Sequence, residues 1–185
     1  MTLRIRLQLL CSVLMVTLLG CAGRALPPSS PPPHTAVTVE EHPSGSVTTF
    51  LGLKQPYAGH ASNAYFLRSV VEKPSGQVAH QLYVANAYRS AEGWHVWSRA
   101  NGGDAQPLEF VAIHRGVRSC DAESGCALEE EFGAVIPDPL LKASPGGFAV
   151  TFFAETGQEL VIHLTAQQIQ QQLKAIDDFQ AARKK

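Results

Sequence analysis

The feature that most constrains this fold is a series of short apolar segments separated by residues that favour turns. These segments are rich in β-branched and aromatic side chains, which favour strands. Within residues 77–88, apolar and polar side chains alternate with the period of a half-buried strand. The segments that predict strands are 46–53, 63–72, 77–88, 94–100, 108–115, 127–136, 148–155 and 159–164.

Two pairs of these segments predict hairpins. Between the second and third segments, Pro74 presets φ for a turn and Gly76 accepts a positive φ at its exit. Thr156 and Gly157 predict a two-residue hairpin turn near the end of the chain. On its two arms, apolar residues that share a face would build a core, namely Phe148, Val150 and Phe152 on one arm and Leu160, Ile162 and Leu164 on the other.

The last part of the chain predicts an amphipathic helix over 165–182. Thr165 and Gln168 have the spacing of a capping box, and Ile169, Leu173 and Ile176 recur on one face. A shorter helical turn is predicted after Pro137. The fold class predicted is therefore mainly β with some helix (α+β): an antiparallel sheet or sandwich of about eight short strands with a C-terminal amphipathic helix.

The first 20 of the 185 residues are typical of a signal peptide. Arg4 and Arg6 precede the apolar stretch 7–19, which is shorter than the roughly 20 residues of a spanning helix. Pro and Ser then dominate residues 21–45, which predict an extended tether. The remaining residues, 46–185, predict a single β-rich globular domain with the C-terminal helix at its end.

The apolar stretch ends in Leu18, Leu19, Gly20 and Cys21. This order resembles the lipobox of bacterial lipoproteins, in which the cysteine thiol receives a diacylglycerol and becomes the first residue after cleavage. The resemblance implies a lipidated, palmitate-bearing Cys21 that attaches the protein to a membrane. By the same resemblance, Ala22 favours the outer membrane. An ordinary signal peptide with an incidental cysteine is the alternative.

Cys120 and Cys126 lie close together in the second half of the chain. In an exported protein such a pair predicts a disulfide, and Gly125 permits the tight loop. A redox pair or metal ligation is the alternative, although five intervening residues do not match the usual redox spacing.

Histidines and one acidic group around the Cys120–Cys126 loop are the candidates for chemistry. This group, called the acidic loop, comprises Asp121, Glu123, Glu129, Glu130 and Glu131. On a strand, Glu129 and Glu131 would share a face, where two carboxylates can bind a hard cation or act as an acid–base pair; a solvated sheet edge is the alternative. The formal net charge of −1 argues against a nucleic-acid partner. No recognised motif assigns catalytic residues, a metal or another cofactor. The histidines within predicted strands are His80, His95, His114 and His163.

Taken together, the lipobox, the proline-rich tether, the Cys120–Cys126 loop and the segment 161–173 look like those of small proteobacterial lipoproteins. The resemblance implies a location in the bacterial cell envelope, anchored by lipid and facing the periplasm. The function predicted is a non-enzymatic binding or structural module, with the membrane and possible envelope proteins as partners. The alternative is an envelope enzyme or metal-binding protein that uses the strand histidines and the acidic loop.

Overall fold

The computed structural model describes residues 37–183, which form eleven strands and two α-helices. The strands are β1 (Thr38–Glu41), β2 (Val47–Leu51), β3 (Gln55–Pro56), β4 (Ala64–Glu72), β5 (Val78–Ser90), β6 (Trp97–Asn101), β7 (Pro107–Leu108), β8 (Phe110–Asp121), β9 (Gly125–Ile136), β10 (Gly147–Ala154) and β11 (Glu159–Thr165). The helices are α1 (Asp138–Ala143) and α2 (Ala166–Ala182), and a 3₁₀ turn occupies Gly103–Ala105.

The strands form two antiparallel sheets. The larger sheet has the order β1-β2-β4-β5-β9-β8, with β3 also paired to β4. The smaller sheet has the order β11-β10-β6-β7. The chain leaves the larger sheet after β5, returns to it with β8 and β9, and ends in the smaller sheet before α2.

The main core lies between the two sheets. Leu82 and Phe132 from the larger sheet and Phe152 from the smaller one are buried in one cluster. The ring centroids of Phe132 and Phe152 lie 5.0 Å apart, edge to face. Alternation along β5 and β9 turns every second side chain toward this core, so the two sheets pack face to face.

Helix α2 covers the part of the larger sheet that the smaller sheet leaves open. Ile176 packs with Phe50 of β2 and Val71 of β4 in a second, smaller core. The predicted capping box is confirmed: the Gln168 backbone N–H donates to the Thr165 hydroxyl, and the Thr165 N–H donates to the Gln168 side-chain oxygen. None of the helices among residues 37–183 is long and apolar enough to cross a membrane.

The mainly β class, the eight predicted strands and the C-terminal helix are confirmed. The predicted pairing of the last two strands is also confirmed, because Phe148, Val150 and Phe152 lie opposite Leu164, Ile162 and Leu160. The predicted two-residue turn between them is wrong. The Ala154 N–H donates to the Gln158 carbonyl, so three residues form the loop and Gly157 takes a φ of 92°.

Two other boundaries differ from the prediction. Residues 38–41, which were assigned to the tether, form β1 because their backbone pairs with β2 along Thr38–Glu41. The segment expected to begin a strand at Trp94 does so only at Trp97, since Val96 has a φ of 58° that no strand accepts. Residues 42–45, also assigned to the tether, form the turn between β1 and β2. Residues 21–36 of the predicted tether and the signal peptide lie outside the described residues.

A disulfide joins Cys120 and Cys126 at the turn between β8 and β9. We predict that removing this bond destabilises the domain by about 2 kcal/mol, the chain-entropy value for so short a ring. The variant carrying both Cys120→Ser and Cys126→Ser should unfold at lower urea concentration than the oxidised protein. Reductant should lower the stability of the native protein to that of the variant and leave the variant unchanged. Equal stability of the oxidised protein and the variant would contradict the prediction.

Candidate functional site

The predicted disulfide is confirmed. Cys120 and Cys126 are joined at the tip of the β8–β9 hairpin, with a Cα–Cα distance of 4.0 Å. Arg89 of β5 donates hydrogen bonds to the Asp121 carboxylate, the Ser124 hydroxyl and the Gly125 carbonyl. These bonds tie the hairpin tip to the neighbouring strand. Cys21, the predicted lipid attachment site, lies outside the described residues.

The acidic run on β9 is divided between the two faces of the larger sheet. Leu128 and Phe132 point into the core, and Glu130 lies between them on the same face. Its side chain is only 2% exposed. As predicted, Glu129 and Glu131 share a face, but it is the opposite, outer face, where Arg118 pairs with Glu129. The carboxylate with the unusual environment is therefore Glu130, which lies between the two residues predicted to act as a pair.

Glu130 is held by three donors from three parts of the chain. The Tyr88 hydroxyl donates to Oε1 at 2.6 Å, and the Val96 backbone N–H donates to the same oxygen at 3.2 Å. Arg115 donates from Nε to Oε2 at 3.0 Å. Both oxygens are satisfied, which is the condition for burying a carboxylate at tolerable cost. Burial and the bond to Glu130 raise the pKa of the Tyr88 phenol, so Tyr88 remains a donor.

A β-bulge places Arg115 beside Glu130. Ala112 pairs with Phe132, but after the bulge His114 pairs with Glu131 and Arg115 with Glu130. If Ile113 instead paired regularly with Glu131, His114 would lie opposite Glu130, and Arg115 would point to the outer face. Bulges shift alternation in this way and are common beside functional sites.

The loop before β6 completes the surroundings of Glu130. Val96 has a φ of 58°, which is rare and strained for a β-branched residue. The ring of His95 stacks on Tyr88 with centroids 3.7 Å apart, and the His95 backbone N–H donates to the Tyr88 hydroxyl. Burial lowers the pKa of the His95 ring, against an opposing effect of Glu130. This loop is thus held in an unfavourable conformation by bonds to the Glu130 network.

An open cleft of about 260 Å³ lies beside this network. Its floor is aromatic, with the Trp97 and Phe132 rings stacked at 5.1 Å and Phe110 next to them. Its polar border includes Arg115, whose side chain is 41% exposed. The lining residues are Trp97, Phe110, Ala112, Ile113, His114, Arg115, Glu130, Glu131 and Phe132.

A second polar network crosses the core near α1 and α2. The Ser69 hydroxyl lies 2.7 Å from His80 Nδ1, and His80 Nε2 lies 3.1 Å from an Asp138 carboxylate oxygen. The Gln172 side-chain amide donates to both Ser69 and the Phe50 carbonyl. Ser69 is fully buried and His80 is 2% exposed. Ser69, His80 and Asp138 are the residue types of a serine hydrolase, but the buried Ser69 is not accessible to a substrate. The network therefore has a structural role: it joins the larger sheet to α1 and α2.

The hydrogen bonds identify the neutral form of His80. The Asp138 carboxylate only accepts, so the neutral ring carries its proton on Nε2 and donates it to Asp138. Nδ1 then accepts from the Ser69 hydroxyl, which accepts in turn from Gln172. Burial lowers the pKa of His80, while the bond to Asp138 opposes that effect. Burial would raise the pKa of Asp138, but the hydrogen bonds from Lys142 and His80 outweigh it and lower the pKa.

The other strand histidines lie in different surroundings. His95 precedes β6 beside Tyr88, His114 lies on edge strand β8, and His163 is exposed on β11. Across residues 37–183, no group of three or more His, Cys, Asp or Glu side chains is placed to hold a metal ion.

Part of each network could have been predicted from the sequence. Glu130 is in phase with the apolar residues Leu128 and Phe132, which places a charge on a core face. Ser69 and His80 face each other because the turn at 73–76 fixes the hairpin register. The bulge at Ile113 and the position of Asp138 have no such signal.

No protein-family model matches the chain, and neither a curated protein nor a solved structure is significantly similar to it. The chain is thus defined by its own fold and site: a two-sheet antiparallel β domain with a C-terminal helix and a buried carboxylate beside an open cleft.

We predict that Glu130→Gln destabilises the domain by about 2–4 kcal/mol, because it removes the charge of a buried carboxylate whose two oxygens accept three hydrogen bonds, and leaves Arg115 without its partner. Glu129→Gln on the same strand removes a more exposed pair, with Arg118 56% and Glu129 19% exposed, and should cost less, about 1 kcal/mol. Urea unfolding of both variants measures the difference. Equal losses for the two variants would show that Glu130 is not the structural carboxylate.

We also predict that the domain loses stability as the pH falls below the ordinary pKa of histidine, about 6.5. His80 has a lowered pKa in the folded state, so the unfolded chain binds its proton first and is favoured in that range. His80→Gln should reduce the pH dependence of the unfolding free energy between about pH 7.5 and pH 5. His163→Gln, which changes an exposed histidine, is the control and should leave the pH dependence as it is in the native protein.

The lowered pKa of His95 acts in the same direction as that of His80. Part of the pH dependence of the unfolding free energy should therefore remain in His80→Gln. An unchanged slope would refute the assignment to His80.

Proposed function

We propose that the protein is a lipid-anchored binding module of the bacterial cell envelope. The observation that carries the proposal is Cys21, which directly follows Leu18, Leu19 and Gly20 at the end of the apolar segment. The basic residues before that segment and the proline-rich residues after it fit the same interpretation.

The disulfide supports an exported location. Structural disulfides persist in oxidising compartments and are rare in the cytosol. The Cys120–Cys126 bond closes a short loop at an exposed hairpin tip, where a reducing cytosol would have ready access to it.

The anchor proposed here is strong for a physical reason. One acyl chain holds a protein at a membrane only marginally, whereas two or more hold it stably, at about 0.8 kcal/mol per buried CH₂. A diacylglycerol on Cys21 would supply two chains. Ala22 favours the outer membrane, with the domain facing the periplasm.

Binding is favoured over catalysis by where the polar groups lie. The Ser69–His80–Asp138 row is closed to substrates, while the accessible polar groups border the cleft beside Glu130. A tethered domain with such a cleft is suited to hold a ligand or an envelope protein near the membrane. The alternative, an enzyme or metal-binding protein that uses the strand histidines and the acidic loop, gains no support from the geometry of residues 37–183 and remains a prediction.

We predict that Cys21→Ser abolishes incorporation of labelled palmitate and moves the protein out of the membrane fraction or leaves it uncleaved. Cys11→Ser, which changes a cysteine inside the apolar segment, is the matched control and should label and fractionate like the native protein. The readouts are palmitate labelling, membrane fractionation and the mass of the processed chain. A Cys21→Ser protein that is still labelled and membrane-bound would refute the proposed anchor.

A further inference from the structure

We propose that the cleft beside Glu130 binds a small organic carboxylate with an aromatic or other apolar body, and that Arg115 holds the carboxylate. The inference deepens the binding function proposed above by assigning a ligand class to one site. It rests on the shape of the cleft, on the hydrogen bonds already made by its charged residues, and on the bulge that orients Arg115.

The apolar part of such a ligand has a surface to contact. The partly exposed Phe110 ring lines the cleft and packs on the buried Phe132 ring, with centroids 6.0 Å apart. Trp97, also buried, stacks on Phe132 at 5.1 Å. Ala112 and Ile113 of β8 add aliphatic surface at the side. The volume of about 260 Å³ is just below the range of about 300–1,000 Å³ for drug-sized pockets. The ligand is therefore small, such as a single ring with a short chain.

The polar group of the ligand is inferred from the hydrogen-bond donors of Arg115 that have no partner within residues 37–183. Arg115 uses only Nε to reach Glu130, and among the described residues its two Nη groups make no hydrogen bond. A guanidinium presents its donors in a planar fork that matches a carboxylate. The buried Glu130 fixes the plane of that fork from one side, while the 41% exposed side chain leaves the other side open to the cleft.

A cationic ligand fits the same cleft less well. Both oxygens of Glu130 already accept hydrogen bonds, from Tyr88, Val96 and Arg115. Glu131, the other carboxylate at the border, interacts with the Tyr83 hydroxyl on the outer face, where it adds to the effect of burial in raising the pKa of Tyr83. Of the buried ion pair at the cleft, Arg115 and Glu130, only Arg115 therefore has hydrogen-bonding groups left to use.

The bulge at Ile113 makes this arrangement a built feature rather than a chance surface arginine. It turns Arg115 to the inner face, opposite Glu130, and at the same point places Ile113 at the rim of the cleft. The strained Val96 backbone supplies one of the three bonds that keep Glu130 in place. Strained backbone retained beside a cleft is typical of binding sites.

The test compares three probes that differ only in the polar group: 3-phenylpropionate, the neutral 3-phenylpropanamide and the cationic 3-phenylpropylamine. Each is titrated into the purified full-length protein, in the same mild detergent, and followed by backbone amide NMR shifts. The carboxylate should bind about tenfold or more tightly than the other two, a difference of about 1.4 kcal/mol. Its shifts should be concentrated at residues 110–116 and 130–132.

Two variants identify the group responsible. The double variant Arg115→Gln/Glu130→Gln removes both charges together, so that no unpaired charge is buried, and should lose the preference for the carboxylate. Arg118→Gln is the control, because Arg118 is paired with Glu129 outside the cleft. This variant should still prefer the carboxylate probe. Thermal melts of both proteins establish that they are folded, and the three-probe comparison on the native protein stands without any variant.

The inference is overturned if the three probes bind equally, if the amine binds best, if no probe saturates, or if the shifts map away from the cleft. It is also overturned if Arg118→Gln loses the preference as fully as the double variant. If the probe titrations fail but Cys21 carries palmitate, only the proposed ligand class is wrong and the proposed envelope anchor stands. If the carboxylate binds but the protein takes up no palmitate, the proposed anchor is wrong and the ligand class stands.

Discussion

The burial of the Glu130 carboxylate is the constraint on which the arrangement of β5, β8, β9 and the loop before β6 depends. A charge on a core-facing strand is tolerated only when its oxygens are satisfied. Here that requirement joins edge strand β8 through Arg115, β5 through Tyr88 and the loop before β6 through Val96. The bulge in β8 and the positive φ of Val96 are the local costs of meeting it.

A second network, near α1 and α2, joins core side chains by hydrogen bonds that end at the partly exposed Asp138 carboxylate. Gln172, Ser69, His80 and Asp138 link α2, β4, β5 and α1 in one chain of donors and acceptors. This network is closed to solvent at the serine, so it orders the core between sheet and helices. The Glu130 network is instead open on the side of Arg115, and that difference is why the cleft is the better candidate for binding.

Much of the fold follows from local sequence. Alternation predicted the strands, and Thr165 with Gln168 predicted the start of α2. The residues of the site were harder to predict from local sequence. Glu129 and Glu131 were considered as a pair and Glu130 was not, although its alternation with Leu128 and Phe132 indicates that it faces the core. That Arg115 meets it depends on the bulge, an irregularity of pairing that alternation cannot predict because it breaks alternation.

A double-mutant cycle of Arg115→Gln and Glu130→Gln tests the central claim most directly, with unfolding free energy as the readout. The account predicts a coupling energy above about 1 kcal/mol, since the pair is buried on one side and its geometry is fixed. The same cycle on the more exposed pair Arg118–Glu129 should give a smaller value. A coupling near zero for Arg115 and Glu130, or one no larger than that of the exposed pair, would contradict it.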